Sequence, residues 1–154
     1  MVLKTDFVRG MENAQDPLNQ NFEEIGKSIE DTGWIELPLS ENFKQYSTAT
    51  DTIPRIRRIG NHVVIIGLIT PVATVSGTQN SVKIADIPDD FIPKEIVTTG
   101  PTRVCQGSGR AIWNVSVNYS GKTLNFSRYR ETYENSYKDI TTGAWLPFDI
   151  DYYI

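Results

Sequence analysis

The chain is poor in the residues that most often carry chemistry. Its 154 residues include one cysteine, Cys105, and one histidine, His62. A single cysteine excludes an internal disulfide framework and a multi-cysteine metal site. Cys105 stands in a β-like run from Thr102 to Gln106, where a buried, inert thiol is expected. His62 lies beside a predicted hairpin turn, the place of a solvated turn residue more than of a catalytic base. No G-x-S-x-G elbow and no cluster with metal-ligand spacing occurs, so no catalytic residue, metal or cofactor is assigned. Long apolar runs are also missing. The longest, Val63 to Ile69, is interrupted by Gly67 and is too short to cross a bilayer. The N-terminus lacks a signal-peptide core, so synthesis in a cytosol without membrane insertion is expected. Positive charge is scarce as well: a net charge of −4 argues against nucleic acid as a partner, since phosphate recognition needs clustered Lys and Arg.

What is present divides the chain at residue 33. Met11, Leu18 and Ile25 recur every seven residues, and Phe22 and Ile29 recur at the same interval. Leu18, Phe22, Ile25 and Ile29 thus form an apolar stripe along a helix over roughly 16–30, the pattern of a coiled-coil or bundle seam. Asp16 before Pro17 predicts the helix start as an N-cap, and Gly33 ends the run. A lone helix this short is marginal in water, so the stripe needs a partner surface. The mix of Leu, Phe and Ile leaves dimer and trimer both open. Asp31-Thr-Gly33 reads as a short hinge, with a head from Trp34 onward.

The head changes to period-two patterning. Strands are predicted at 34–39, 53–59, 62–69, 82–86, 95–105, 110–119, 122–130 and 144–153, with a long polar loop over 40–52. Gly60-Asn61 and Ser120-Gly121 are hairpin signals, and Gly107-Ser-Gly109 is a further turn. Many short strands and no second helix predict an antiparallel β-sandwich or barrel.

Carboxylates are the one catalytic resource in view. Asp86, Asp89, Asp90 and Glu95 cluster in sequence, and Asp149 and Asp151 alternate on the last strand. A glycosidase needs two such groups facing each other, but Asp89-Asp90 reads as part of a solvated loop between prolines. Aromatic and planar-polar residues stand out more. Sugars offer hydroxyls that suit Asn and Arg, and apolar C–H faces that suit Trp and Tyr. The candidate saccharide-binding residues are Trp113, Asn118, Tyr119, Arg128, Arg130 and Tyr133, with Asn114, Asn125, Tyr129 and Tyr137 in the same stretch. Trp113 shares an apolar face with Ala111, Val115, Val117 and Tyr119, where a core or interface role competes with a sugar platform. Arg55, Arg57 and Arg58 form the densest cationic cluster, either a solvated face or a contact for an anionic partner.

Several segments resemble one family. Phe7-Val-Arg-Gly-Met-Glu-Asn-Ala14 and Leu18-Asn-Gln-Asn-Phe-Glu-Glu-Ile25 are similar to the N-terminal segment of baseplate receptor-binding proteins from siphophages of lactic-acid bacteria and related Gram-positive hosts. Gly33-Trp-Ile-Glu-Leu-Pro38, Arg57-Arg-Ile-Gly-Asn-His-Val-Val64, Ile87-Pro-Asp-Asp-Phe-Ile-Pro93 and Thr142-Gly-Ala-Trp145 resemble the head of those proteins. The resemblance implies a homotrimer on the phage tail tip or baseplate. Residues 1–33 would form a trimeric helical bundle that attaches to another baseplate protein, and 34–154 a β-sandwich/barrel head that binds host cell-wall polysaccharide. It also implies a Trp in the site, matched by Trp113. The rival readings are a structural tail component that docks protein, and a small polysaccharide depolymerase.

Overall fold

The computed structural model describes residues 3–5, 7, 10–77, 80–94 and 100–154. Among them one helix, α1 (Gln15–Ser28), precedes nine strands. These are β1 (Ile35–Glu36), β2 (Phe43–Gln45), β3 (Arg55–Ile59), β4 (His62–Pro71), β5 (Val82–Asp86), β6 (Thr102–Gln106), β7 (Ala111–Asn118), β8 (Thr123–Glu131) and β9 (Leu146–Tyr153). They build two antiparallel sheets, the mainly β head that the patterning predicts. No helix among the described residues is long and apolar enough to cross a membrane.

In the first sheet β4 is the organising strand. β3 pairs with its first half and β2 with its end, while β9 runs along its other edge. Ile69 shows both edges at once, opposite Gln45 of β2 and Leu146 of β9. The second sheet has the order β5-β8-β7-β6. Period-two alternation turns Val63, Ile65 and Ile69 inward from β4, and Leu146, Phe148, Ile150 and Tyr152 from β9. Ala111, Trp113, Val115 and Val117 meet them from β7. Trp113 is 0% exposed and joins the layers: its ring stacks on Phe126 at 5.1 Å and meets Phe148 edge-on at 6.1 Å. Its indole N–H donates to the Gln106 carbonyl at 2.9 Å, so the one polar atom of this buried ring is satisfied. Along the open side, Arg103 of β6 reaches across to Asp149 and, at 3.7 Å, to Asp151 of β9.

Five local expectations change. The helix begins at Gln15 with Ala14 as its N-cap and no side-chain cap, so Asp16 lies inside the first turn. There its charge still favours the positive end of the helix dipole. The helix ends at Ser28, short of Gly33. The segment read as a hinge is a clasp: Asp31 bridges Ile59, Thr32 N–H donates to the Arg58 carbonyl at 3.0 Å, and Arg57 holds the Asp31 carboxylate through two guanidinium nitrogens. Gly60 makes the close approach possible. It takes φ +58°, and a Cβ there would collide with the Ser28 carbonyl oxygen. The polar stretch 40–52 contains β2, whose Phe43 is buried in the core, and the strand predicted over 95–105 is β6 alone among described residues.

These pairings give the head two distinct ends. His62 lies next to the helix clasp, so its partner Tyr153 does too, and Leu146 lies at the far end. Tyr152 donates its phenol O–H to the Phe91 carbonyl at 2.8 Å, which places the turn after β5 at the helix end. Asp86 pairs with Thr123, and Ala111 with Glu131. The helix end therefore carries the β7–β8 turn, while the β6–β7 turn and the loop 132–145 form the distal end.

Candidate functional site

The six candidate saccharide residues separate along this axis. Trp113 belongs to the core and presents no surface to a ligand; the apolar face it shares with Val115 and Val117 is the inner face. Its assignment to the saccharide set is corrected to a packing role. Asn118 and Tyr119 lie at the helix end. The Asn118 Oδ1 accepts the Gly121 N–H at 2.9 Å and so shapes the β7–β8 turn. The Tyr119 ring packs on Tyr152 at 5.6 Å, and burial pushes its phenol above the ordinary tyrosine range.

Arg128 and Arg130 come together on the outer face of the second sheet, toward the distal end. They line a hollow of about 230 Å³ with Asn114, Ile112, Val104 and Tyr137. Strand parity explains the set. Val104 of β6 pairs with Asn114 of β7, which pairs with Ser127 of β8, and one step along Gln106 pairs with Ile112, which pairs with Arg130. Trp113 points inward between those rows, so Asn114 and Ile112 point outward.

Arg128 enters the hollow through an irregularity. The ladder between β7 and β8 slips between Ile112 and Asn114, and Arg128 takes φ +57°. A bulge re-aims its side chain. The left-handed backbone costs roughly 1–2 kcal/mol for a residue with a Cβ, which surrounding structure must offset. Residues held this way cluster at functional sites.

The loop after β8 supplies Tyr137. It folds back because Lys138 N–H donates to the Tyr129 carbonyl at 2.9 Å, and Arg130 Nη1 donates to the Glu134 carbonyl at 2.8 Å. The Lys138 ammonium lies 3.2 Å from Glu134 and 3.6 Å from Glu131, and the Glu134 hydrogen bond holds it above the usual lysine range. Arg130 is therefore pinned through Nη1 by backbone carbonyls, and its other guanidinium N–H groups have no hydrogen-bond partner among the described residues. Tyr133 is at the loop surface, 70% exposed and outside the hollow. The hollow pairs two guanidiniums with one amide, one phenol and two aliphatic side chains, and no carboxylate lines it. Such a surface accepts hydroxyls and anionic substituents above, and apolar C–H faces against Val104, Ile112 and Tyr137.

Val104, Ile112, Asn114 and Tyr137 are the lining residues that the six-residue set omits. Residue type puts both Asn114 and Tyr137 in the same stretch as the six, and outward parity opposite Trp113 marks Asn114 further; the backbone bond from Lys138 to Tyr129 is what brings Tyr137 to the hollow.

A larger hollow, about 590 Å³, lies at the helix end and is lined by Arg58, Asn61, Asp89, Asp90, Lys94 and Ile154 among others. It gathers two of the carboxylates considered for catalysis, Asp89 and Asp90, side by side on one turn. Asp89 is bound to Lys122 at 2.9 Å, and the Asp90 carbonyl accepts from Arg58 at 3.4 Å. Asp149 and Asp151 are on the outer face of β9, tied to Arg103, and Asp151 also meets His62 at 3.2 Å. His62 stacks on Tyr153 at 4.9 Å, so it is braced rather than freely solvated. Glu95 lies outside the described residues. The smaller distal hollow is the better candidate because its polar groups converge and lie away from the helix.

The cluster Arg55, Arg57 and Arg58 is occupied within the chain. Arg57 holds Asp31, Arg58 reaches Glu30 at 3.5 Å, and the Arg55 guanidinium lies 4.8 Å from the centre of the Trp34 ring. An anionic partner is not needed to explain it. The helix stripe, in contrast, is uncovered within one copy. Phe22 and Ile29 are 70% and 68% exposed, and Leu18 and Ile25 are also exposed.

No protein-family model and no curated protein sequence matches the chain. Among solved structures, it is similar to the receptor binding protein (gp15) of Listeria phage PSA, at 11% identity and a TM-score of 0.47, over 86% of this chain and 74% of that one.

Proposed function

We propose that this chain is a receptor-binding protein of a phage tail or baseplate, acting as a homotrimer that recognises host cell-wall polysaccharide. The observation that carries the reading is the polarity of the molecule. An unburied apolar helix seam stands at one end, and toward the other the Asn114–Arg128–Arg130–Tyr137 hollow opens on the outer sheet face. Copies joined through Leu18, Phe22, Ile25 and Ile29 would point their hollows the same way, with the helix end left for another baseplate protein. Parallel presentation suits a weak site, because multivalency raises avidity by about 10²–10⁴ without new contacts.

The test is binding of the purified chain to cell-wall polysaccharide fractions from a panel of Gram-positive bacteria, with molar mass measured in parallel. Saturable, strain-selective binding by a trimer is the expected result. A second reading, a structural tail component that docks protein, draws on the larger hollow beside the helix. A trimer that binds no polysaccharide in the panel would favour that reading.

A further inference from the structure

The distal hollow does not end at β6. A second hollow, about 290 Å³, follows the seam where β6 passes β9, and it is lined by Val104, Cys105, Gln106, Pro147, Phe148 and Asp149. The two hollows share one residue, Val104, whose side chain stands at 62% exposure on the edge strand of the second sheet. Val104 is thus a low ridge between two depressions of similar size, about 230 and 290 Å³. Among the described residues β6 is the last strand of its sheet, paired with β7, and no further strand of that sheet covers the ridge.

The two depressions differ in chemistry. On the β8 side, Arg128 and Arg130 offer only N–H donors, and no carboxylate is present. On the β9 side the one charged group is Asp149, an acceptor fixed by the Arg103 guanidinium, beside the exposed Gln106 amide and the apolar Pro147. Cys105 closes the floor of this side; it is buried, and that burial pushes its thiol up, away from reactivity.

We infer that the two hollows are consecutive subsites for one oligosaccharide of at least two sugar units, laid across β6 with its linkage over Val104. The unit above Arg128 and Arg130 presents acceptors, such as a carboxylate, a phosphate ester or a dense set of hydroxyl oxygens. The unit above Asp149 and Gln106 presents donors, hydroxyl or ammonium groups. The inference rests on the receptor-binding reading and adds the length and polarity of its ligand.

The test is a glycan array of bacterial cell-wall saccharides from one to six residues long, probed with the intact chain and with the variants Val104→Arg, Asp149→Asn and Arg128→Ala/Arg130→Ala. Val104 and Asp149 are surface positions, so circular dichroism should show folded variants. The expected result is binding from two residues upward, stronger than to single sugars by on the order of tenfold or more. Val104→Arg should abolish that gain, Asp149→Asn should reduce it, and the double arginine variant should lose all lengths. Equal binding of single sugars and longer chains, unchanged by Val104→Arg but lost with both arginines, would overturn the two-subsite inference and leave the receptor reading standing. Absence of binding at every length, or binding that survives the double arginine variant, would overturn both.

Discussion

At the helix end of the head, Arg57 is held by Asp31, Arg58 reaches Glu30, and Arg55 lies over the Trp34 ring; toward the distal end, Arg128 and Arg130 line a hollow without a carboxylate. The residue type is the same and the employment is different. The first group joins helix to head, and each guanidinium meets a group of its own chain. In the second group, Arg130 is steadied by backbone carbonyls, which fix its position without neutralising its charge. Clusters of arginine in a sequence therefore say little until their counter-charges are located. The denser cluster here is the structural one.

The largest effect that sharpens this contrast lies beneath both groups. Trp113→Ala should cost about 3–5 kcal/mol, the usual penalty for emptying a buried aromatic site, read as a loss of midpoint in urea or heat. A variant of near-normal stability with selectively lost polysaccharide binding would return Trp113 to the site. Next comes the helix seam. Phe22→Asp with Ile25→Asp should leave a folded monomer by light scattering, since neither side chain is buried in one copy. An unchanged oligomer mass would remove α1 from the assembly.

The clasp should show itself in acid. The Arg57 hydrogen bond, helped by the Gly33 N–H, holds the Asp31 carboxyl down at about 2. Its unfolded value is about 3.9. The pair's contribution is thus fully present above that unfolded value and is lost as pH falls through about 2. Asp31→Asn should flatten this part of the stability profile and leave glycan binding at neutral pH unchanged. An identical acid profile in the variant would contradict the clasp. The smallest effect belongs to Tyr133→Ala, within roughly twofold of the parent in polysaccharide affinity, because Tyr133 projects from the loop outside the hollow. A large loss there would move the site toward the loop tip.

Much of the head is legible in local pattern. The alternation from Ala111 to Val117, the Gly60-Asn61 and Ser120-Gly121 turns, and the strands around them are stated by period-two burial and turn chemistry. Three things are not. β2 hides in a polar stretch because a single inward residue, Phe43, supplies its packing and β4 supplies its ladder. The helix start falls on Ala14 instead of the better cap Asp16, since the preceding chain folds with Asn13 at φ +57° and its carbonyl accepts the Asp16 N–H. The site itself depends on pairings between distant segments. Asn114 and Arg130 become neighbours through β7–β8 register, Val104 joins them from β6, and Tyr137 arrives with the loop tied at Tyr129. Residue type pointed to the hollow's two arginines, while only the fold could separate them from Trp113, Asn118 and Tyr119.

The decisive measurement is polysaccharide binding by the parent chain and by Arg128→Ala/Arg130→Ala, with Tm and molar mass recorded for each. Saturable, strain-selective binding by the parent is expected, with its loss in the double variant while Tm and oligomer mass stay unchanged. Equal binding by both, or loss of binding that tracks a loss of folding, would contradict the claim that the distal hollow is where this protein meets its receptor.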